Sequence, residues 1–111
     1  MRLSTEVRGD VTVIALEGSL DSRTAPQAQQ EIEALFPEEG LVLLDLSGTT
    51  YMSSAGLRVL LLIYRRAQNG RARLALTGVP EEVHDIMAAT GFLDFFTVAG
   101  SVEDGVKALT V

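Results

Sequence analysis

Leu3 and Val7 bracket the polar residues of 3–7, and 11–16 reads VTVIAL, apolar but for Thr12; lying on either side of Gly9-Asp10, these two short runs predict two antiparallel strands joined by a tight turn. Gly18 closes the second strand. Residues 41–46, LVLLDL, are apolar at every position but Asp45, as a strand covered on both faces requires. Elsewhere the rhythm is helical. Thr24 is placed as an N-cap with Pro26 early in the first turn, Ile32, Leu35 and Phe36 supply an apolar stripe, and residues 37–40 stop that helix. A longer helix runs from about 55 to 69, with Gly70 as a left-handed cap. Residues 73–76 make a short strand, and Pro80 stands just inside a third helix whose early turns carry Glu81, Glu82 and Asp85 and which Gly91 ends. Residues 95–98 form a last strand, and Ser101 with Asp104 opens a final helix through Leu109.

Strands that alternate with helices must cross over to lie parallel, and such crossovers are right-handed. The expected fold is therefore α/β: a mixed sheet of about five strands with a parallel centre and an N-terminal hairpin, with about four helices, in a single domain over residues 1–111. The length suits one hydrophobic core and not two.

Composition narrows the chemistry. With 47% hydrophobic and 22% charged residues the chain is not disordered, and a net charge of −6 argues against nucleic acid as the main partner, because phosphate binding needs a basic face. Three of its nine basic residues, Arg58, Arg65 and Arg66, nevertheless lie close together. The absence of cysteine removes disulfides and thiolate ligands. No stretch has the character of a signal peptide or reaches the ~20 apolar residues that cross a bilayer, the run at 57–64 being short and interrupted by Arg58. A cytoplasmic domain without direct membrane insertion is expected. His84 is the sole histidine and has no second ligand, the serines lack a nucleophile-elbow pattern, and no phosphate loop or paired catalytic acids are present. The expectation is a binding protein, with no enzyme activity, metal or cofactor.

The most informative stretch is 41–66, where a buried strand, a polar loop and the adjacent serines Ser53 and Ser54 lead straight into a helix. Serine before a helix is ordinarily an N-cap. A hydroxyl there also lies beside unpaired backbone N–H groups and a partial positive charge, where an anion such as phosphate is well received.

Three segments, GSLDSRTAP at 18–26, LVLLDLSGTTYMSSAGLRVL at 41–60 and LTGVPEEVHDIMAATGFLDFFTV at 76–98, together resemble the STAS domain of bacterial anti-sigma factor antagonists and sulfate-transporter tails. The resemblance covers nearly the whole chain, which fits a stand-alone antagonist better than a transporter tail. It implies that the unmodified protein binds an anti-sigma factor serine kinase and releases a sigma factor, and that phosphorylation and a serine phosphatase switch that binding off and on. The phosphorylated serine of the family follows an Asp; aligned on Tyr51-Met52-Ser53-Ser54-Ala55-Gly56-Leu57, it is Ser54, and Ser53 occupies the Asp position. Ser53 is thereby a second-choice target. Alternative roles are a STAS interaction subunit of a membrane transporter complex and a small-ligand or nucleotide sensor, and a monomer or weak dimer is expected.

The partner surface is expected to include Asp21, Ser53, Ser54, Arg58 and Leu62. Asp21 caps the backbone of its turn and borders the partner surface in the family. Arg58 follows Ser54 by four residues, so it either reaches back to the serine or its phosphate or is an ordinary solvated side chain. At 100° per residue, Leu57, Leu60, Leu61 and Tyr64 form a core face, while Val59, Leu62 and Ile63 form a second apolar face, from which Leu62 is expected to touch a partner. Asp45 either positions the loop after its strand or is solvated at the sheet rim.

Overall fold

The computed structural model describes residues 1–37 and 39–110; Glu38, inside the helix stop expected at 37–40, and Val111 lie outside the described residues. The elements in chain order are β1 (Arg2–Arg8), β2 (Val11–Leu20), α1 (Ala25–Leu35), β3 (Glu39–Asp45), β4 (Thr49–Met52), α2 (Ser54–Asn69), β5 (Arg71–Thr77), α3 (Glu81–Thr90), a 3₁₀ turn (Phe92–Phe95), β6 (Thr97–Ala99) and α4 (Val102–Thr110). The β1–β2 hairpin is antiparallel and every other pairing is parallel, in the order β1-β2-β3-β5-β6, with β4 alongside the end of β2.

The doubly apolar strand has two covers. Val42, Leu44 and Leu46 face a core shared with Ile14, Leu16 and Leu76 and with Ile32, Leu60, Ile63 and Met87 of α1, α2 and α3. Leu43 faces the other way, onto a smaller core of Val11, Val13, Ala75 and Leu109, where α4 docks. Because successive strand residues point to opposite faces, the middle of a strand with helices on both sides, here Val42, Leu43 and Leu44, has no position left for a solvated side chain.

Several boundaries differ from expectation, each for a local reason. Among the described residues there are six strands, since β4 occupies part of the segment expected to be a polar loop. Gly18 does not end β2: at φ +104° it carries the strand through an irregularity, Thr50 being left over between the pairs Gly18–Thr49 and Ser19–Tyr51. Gly70 is extended (φ −102°, ψ −152°), not left-handed, because the chain passes through this one residue from α2 directly into β5. Gly91, at φ +80°, is the left-handed cap of α3. Pro80 is the N-cap and not the first helical residue, its carbonyl accepting the His84 N–H at 2.8 Å. Phe95 belongs to the 3₁₀ turn and not to a strand; its ring and that of Phe96 each lie 5.4 Å from the ring of Tyr64. Leu35 leaves the expected α1 stripe and is 42% exposed, while Phe36, extended beyond the helix, turns inward.

The faces of α2 also differ from expectation. Its buried residues are Gly56, Val59, Leu60, Ile63 and Ala67, so Val59 and Ile63 belong to the core, while Leu57, Leu61 and Tyr64 are only half-buried. Of the second apolar face only Leu62 remains partly exposed.

Candidate functional site

The site is built where β2 and β4 end side by side. Leu20 pairs with Met52, and the next amide, that of Ser53, donates to the Leu20 carbonyl at 2.9 Å. The turn that leaves β2 and the turn that opens α2 are thereby tied at one rim, at the carboxyl ends of parallel strands, where α/β sheets present their ligand-binding loops.

On the β2 side, Asp21 organises the turn. Its Oδ1 accepts the N–H groups of Arg23 (2.9 Å) and Thr24 (3.2 Å), and the Asp21 amide donates to Thr24 Oγ1 (3.0 Å). Thr24 occupies the expected N-cap position without capping α1 through its side chain; its hydroxyl donates to the Ser19 carbonyl at 2.8 Å. Asp21 thus caps the backbone of the turn that precedes α1, as expected. The Arg23 and Thr24 backbone N–H groups, in that order, hold the Asp21 carboxyl below the usual carboxylate range.

On the β4 side, the loop is assembled from below. Asp45 Oδ1 accepts the Ser47 N–H at 3.0 Å, which makes it a positioning residue, and the buried Thr49 hydroxyl donates to the Leu16 carbonyl at 3.0 Å. Beyond β4, Ser53 is the N-cap of α2 in an extended conformation, with its carbonyl accepting the Leu57 N–H at 3.0 Å. Its side chain makes no capping bond, and Ser53 Oγ is buried without a hydrogen-bond partner among the described residues. Ser54, one residue on, is exposed in the first turn. The adjacent serines thus occupy opposite environments.

Gly56 sets how closely this turn approaches the sheet. A Cβ there would lie 2.5 Å from Met52 Cγ and 2.8 Å from the Leu20 carbonyl oxygen. Arg58 is exposed one helical turn beyond Ser54 and makes no hydrogen bond or ion pair among the described residues. Asp21, Ser53 and Ser54 share the rim, with Arg58 next along the helix. Leu62 does not join them: eight residues of helix place it about 12 Å farther along the axis, beside a cleft of about 1070 Å³ that Arg65, Arg66, Arg71, Glu33 and Glu39 also line.

One rim residue escaped the sequence reading. Tyr51 is 56% exposed on β4, opposite Ser19 and just before the serines. Its signal was an aromatic in a polar segment, obscured because β4 was not recognised as a strand. Among the described residues, no group of acids and histidine could hold a metal ion, and no helix is long and apolar enough to cross a membrane.

The fold and sequence have clear relatives. The chain is 33% identical over 109 residues, covering 97% of its own length and 94% of the relative's, to BtrV of Bordetella bronchiseptica, a protein named for an anti-sigma factor antagonist role. It is 28% identical over 102 residues to the anti-sigma-B factor antagonist of Listeria monocytogenes, covering 88% of this chain and 90% of that one. The crystal structure of an anti-sigma factor antagonist from Mycobacterium paratuberculosis superimposes with a TM-score of 0.82 at 22% identity, over 99% of this chain and 94% of the other. The sequence profile of the STAS domain matches residues 2–105, and with the six-stranded mixed sheet and four helices described above, the chain belongs to the STAS domain family.

Proposed function

We propose that this protein is an anti-sigma factor antagonist. In this reading its unmodified form binds an anti-sigma factor that is also a serine kinase, and so frees a sigma factor. Phosphorylation of Ser54 ends the binding, and a serine phosphatase restores it. The protein acts by binding and not by catalysis.

The observation that carries the reading is the exposure of Ser54 on the first turn of α2, while its neighbour Ser53 has a buried hydroxyl. A kinase must reach the oxygen it modifies, which favours Ser54 over Ser53. The names of the relatives in Bordetella and Listeria support the same role.

The consequence of phosphorylation follows from where the charge sits. A phosphoserine carries about −1.5 to −2 charges, and in the first turn of a helix the dipole favours it by about 0.3–1 kcal/mol. The fold therefore tolerates the modification. The partner interface does not, because an unpaired dianion buried there costs several kcal/mol, and each 1.4 kcal/mol is about a tenfold loss of affinity. No conformational change is required.

The test is to incubate the protein with its anti-sigma factor kinase and ATP, locate the phosphate by mass spectrometry, and compare partner binding by Ser54→Ala and Ser54→Asp. Ser54 carries the phosphate, Ser54→Ala binds even in the presence of ATP, and Ser54→Asp binds weakly. Phosphate on another residue, or equal binding by all forms, overturns the reading.

A further inference from the structure

The charges of this chain are segregated. Residues 46–80 contain five of the nine basic residues, Arg58, Arg65, Arg66, Arg71 and Arg73, and none of the fifteen acids. The remainder carries four basic residues against all fifteen acids. A molecule with a net charge of −6 therefore has one strongly positive region, and α2 carries three of its five arginines, the exposed Arg71 and Arg73 following on β5.

Helical geometry arranges that charge into a line. At about 100° per residue, Ser54, Arg65 and Arg58 fall within about 40° of one another and Leu62 about 40° further round, on the side away from Val59, Ile63 and Ala67, which are buried. Arg58, Arg65 and Arg66 are all exposed, and none makes an ion pair among the described residues. The line begins at the serine rim and runs about 17 Å along the axis to Arg65, ending beside the cleft where Leu62 and Arg66 meet Glu33 and Glu39.

We propose that this face of α2 is the surface that captures an acidic face of the partner protein, with Leu62 as its apolar contact. The inference rests on the antagonist reading above and specifies the partner's chemistry. Outside residues 46–80 acids outnumber basic residues fifteen to four, so the rest of the chain disfavours such a partner while α2 attracts it, and the field both accelerates encounter and orients it. It also sharpens the switch. With three arginines on α2, a phosphate of about −1.5 to −2 cancels about half to two-thirds of the helix charge. It does so at the end nearest the rim, within a Debye length of about 8 Å of Arg58 but well beyond that from Arg65. Phosphorylation thus removes the attractive field where docking begins and leaves the far end positive.

Stopped-flow association of the full chain with the purified anti-sigma factor, at about 0.1 M and about 1 M ionic strength, tests this. The double variant Arg58→Glu/Arg65→Glu associates about tenfold or more slowly than wild type at the lower salt, and the two converge at the higher. Lys107→Glu, on α4 across the sheet, serves as the charge control and associates nearly as wild type. Thermal melts establish that the variants, altered only at exposed positions, remain folded. If the double variant associates as fast as wild type while Ser54→Asp still weakens binding, the acidic-partner inference fails and the antagonist reading stands. If wild type shows no association at all, both fall. Loss in the double variant of salt-sensitive self-association, or of binding to a single-stranded oligonucleotide, with partner association unchanged, gives the face to a second copy or to nucleic acid and overturns the proposal.

Discussion

Gly56 presses the first turn of α2 against the carbonyl oxygen of Leu20, leaving so little space that a Cβ would sit 2.8 Å from that oxygen. The same carbonyl accepts the Ser53 amide at 2.9 Å, so one backbone group of β2 fixes both the height and the direction of the helix that carries Ser54.

Replacing Gly56 with alanine therefore sets two effects in opposition. Alanine favours a helix over glycine by about 1 kcal/mol, whereas forcing a methyl into a closed space costs typically 1–3 kcal/mol. The backbone oxygen cannot rotate away as a side chain can, so overpacking wins. Gly56→Ala lowers stability in urea by about 1–2 kcal/mol and weakens partner binding beyond that loss, because the turn bearing Ser54 must shift. Unchanged stability would mean that the helix has more room than its contacts indicate.

Ser53 makes an opposite kind of prediction. An N-cap serine normally contributes about 1 kcal/mol through a bond from its side-chain oxygen to a helical N–H. Here that bond is absent and the hydroxyl is buried without a partner. Ser53→Ala removes a buried unpaired polar atom at the expense of no capping bond, so its stability falls within about 0.5 kcal/mol of wild type or above it. A loss of ~1 kcal/mol or more would show that the cap forms in solution.

Asp21 gives the site a pH dependence whose sign follows from its hydrogen bonds. The Arg23 and Thr24 amides favour the charged carboxylate, so its folded pKa is depressed relative to the unfolded chain. Such a group contributes stability that is fully present above the unfolded carboxylate pKa of about 3.9 and is lost as the pH falls through the folded value. Asn in its place keeps an oxygen acceptor but not the charge. Asp21→Asn melts below wild type near neutrality, and the difference narrows as the pH is lowered past about 4. A constant difference across that range would assign the effect of Asp21 to packing.

The fold was legible wherever side-chain periodicity decides it. Residues 41–46 announced a strand covered on both faces, and the two cores on either side of Leu43 and Leu44 are that pattern realised. Periodicity was silent where pairing or tertiary contact decides. Thr49–Met52 is a strand because β2 continues past Gly18 to meet it, a long-range fact that four residues do not encode. The α2 faces were misjudged for a related reason: nearly every position from Leu57 to Tyr64 is apolar, so the wheel alone has no contrast with which to tell core from flank. At the rim, the resemblance singles out Ser54 and ranks Ser53 second, but only the fold distinguishes the exposed Ser54 from Ser53, whose hydroxyl is buried.

A perturbation on the far side of the sheet separates stability from binding. Gly105 lets α4 lie directly on β3: a Cβ there would approach Leu43 Cδ1 to 2.7 Å and Cδ2 to 2.9 Å, and Leu43 is fully buried. Gly105→Ala thus repeats the chemistry of Gly56→Ala, with the helix preference of alanine again opposed by a crowded neighbour. Here the neighbour is a leucine side chain, which can change rotamer, so the net loss is smaller, about 1 kcal/mol or less. The strained contact lies against the core formed by Val11, Val13, Ala75 and Leu109, while Gly56 packs on Leu20 and Met52 of the other core. Partner affinity, measured by calorimetry well below the melting temperature, therefore stays at the wild-type value for Gly105→Ala and falls for Gly56→Ala. If both variants lose affinity in proportion to their stability, the binding rim responds to the sheet as a whole, and the local anchoring of α2 by Leu20 is not what positions Ser54.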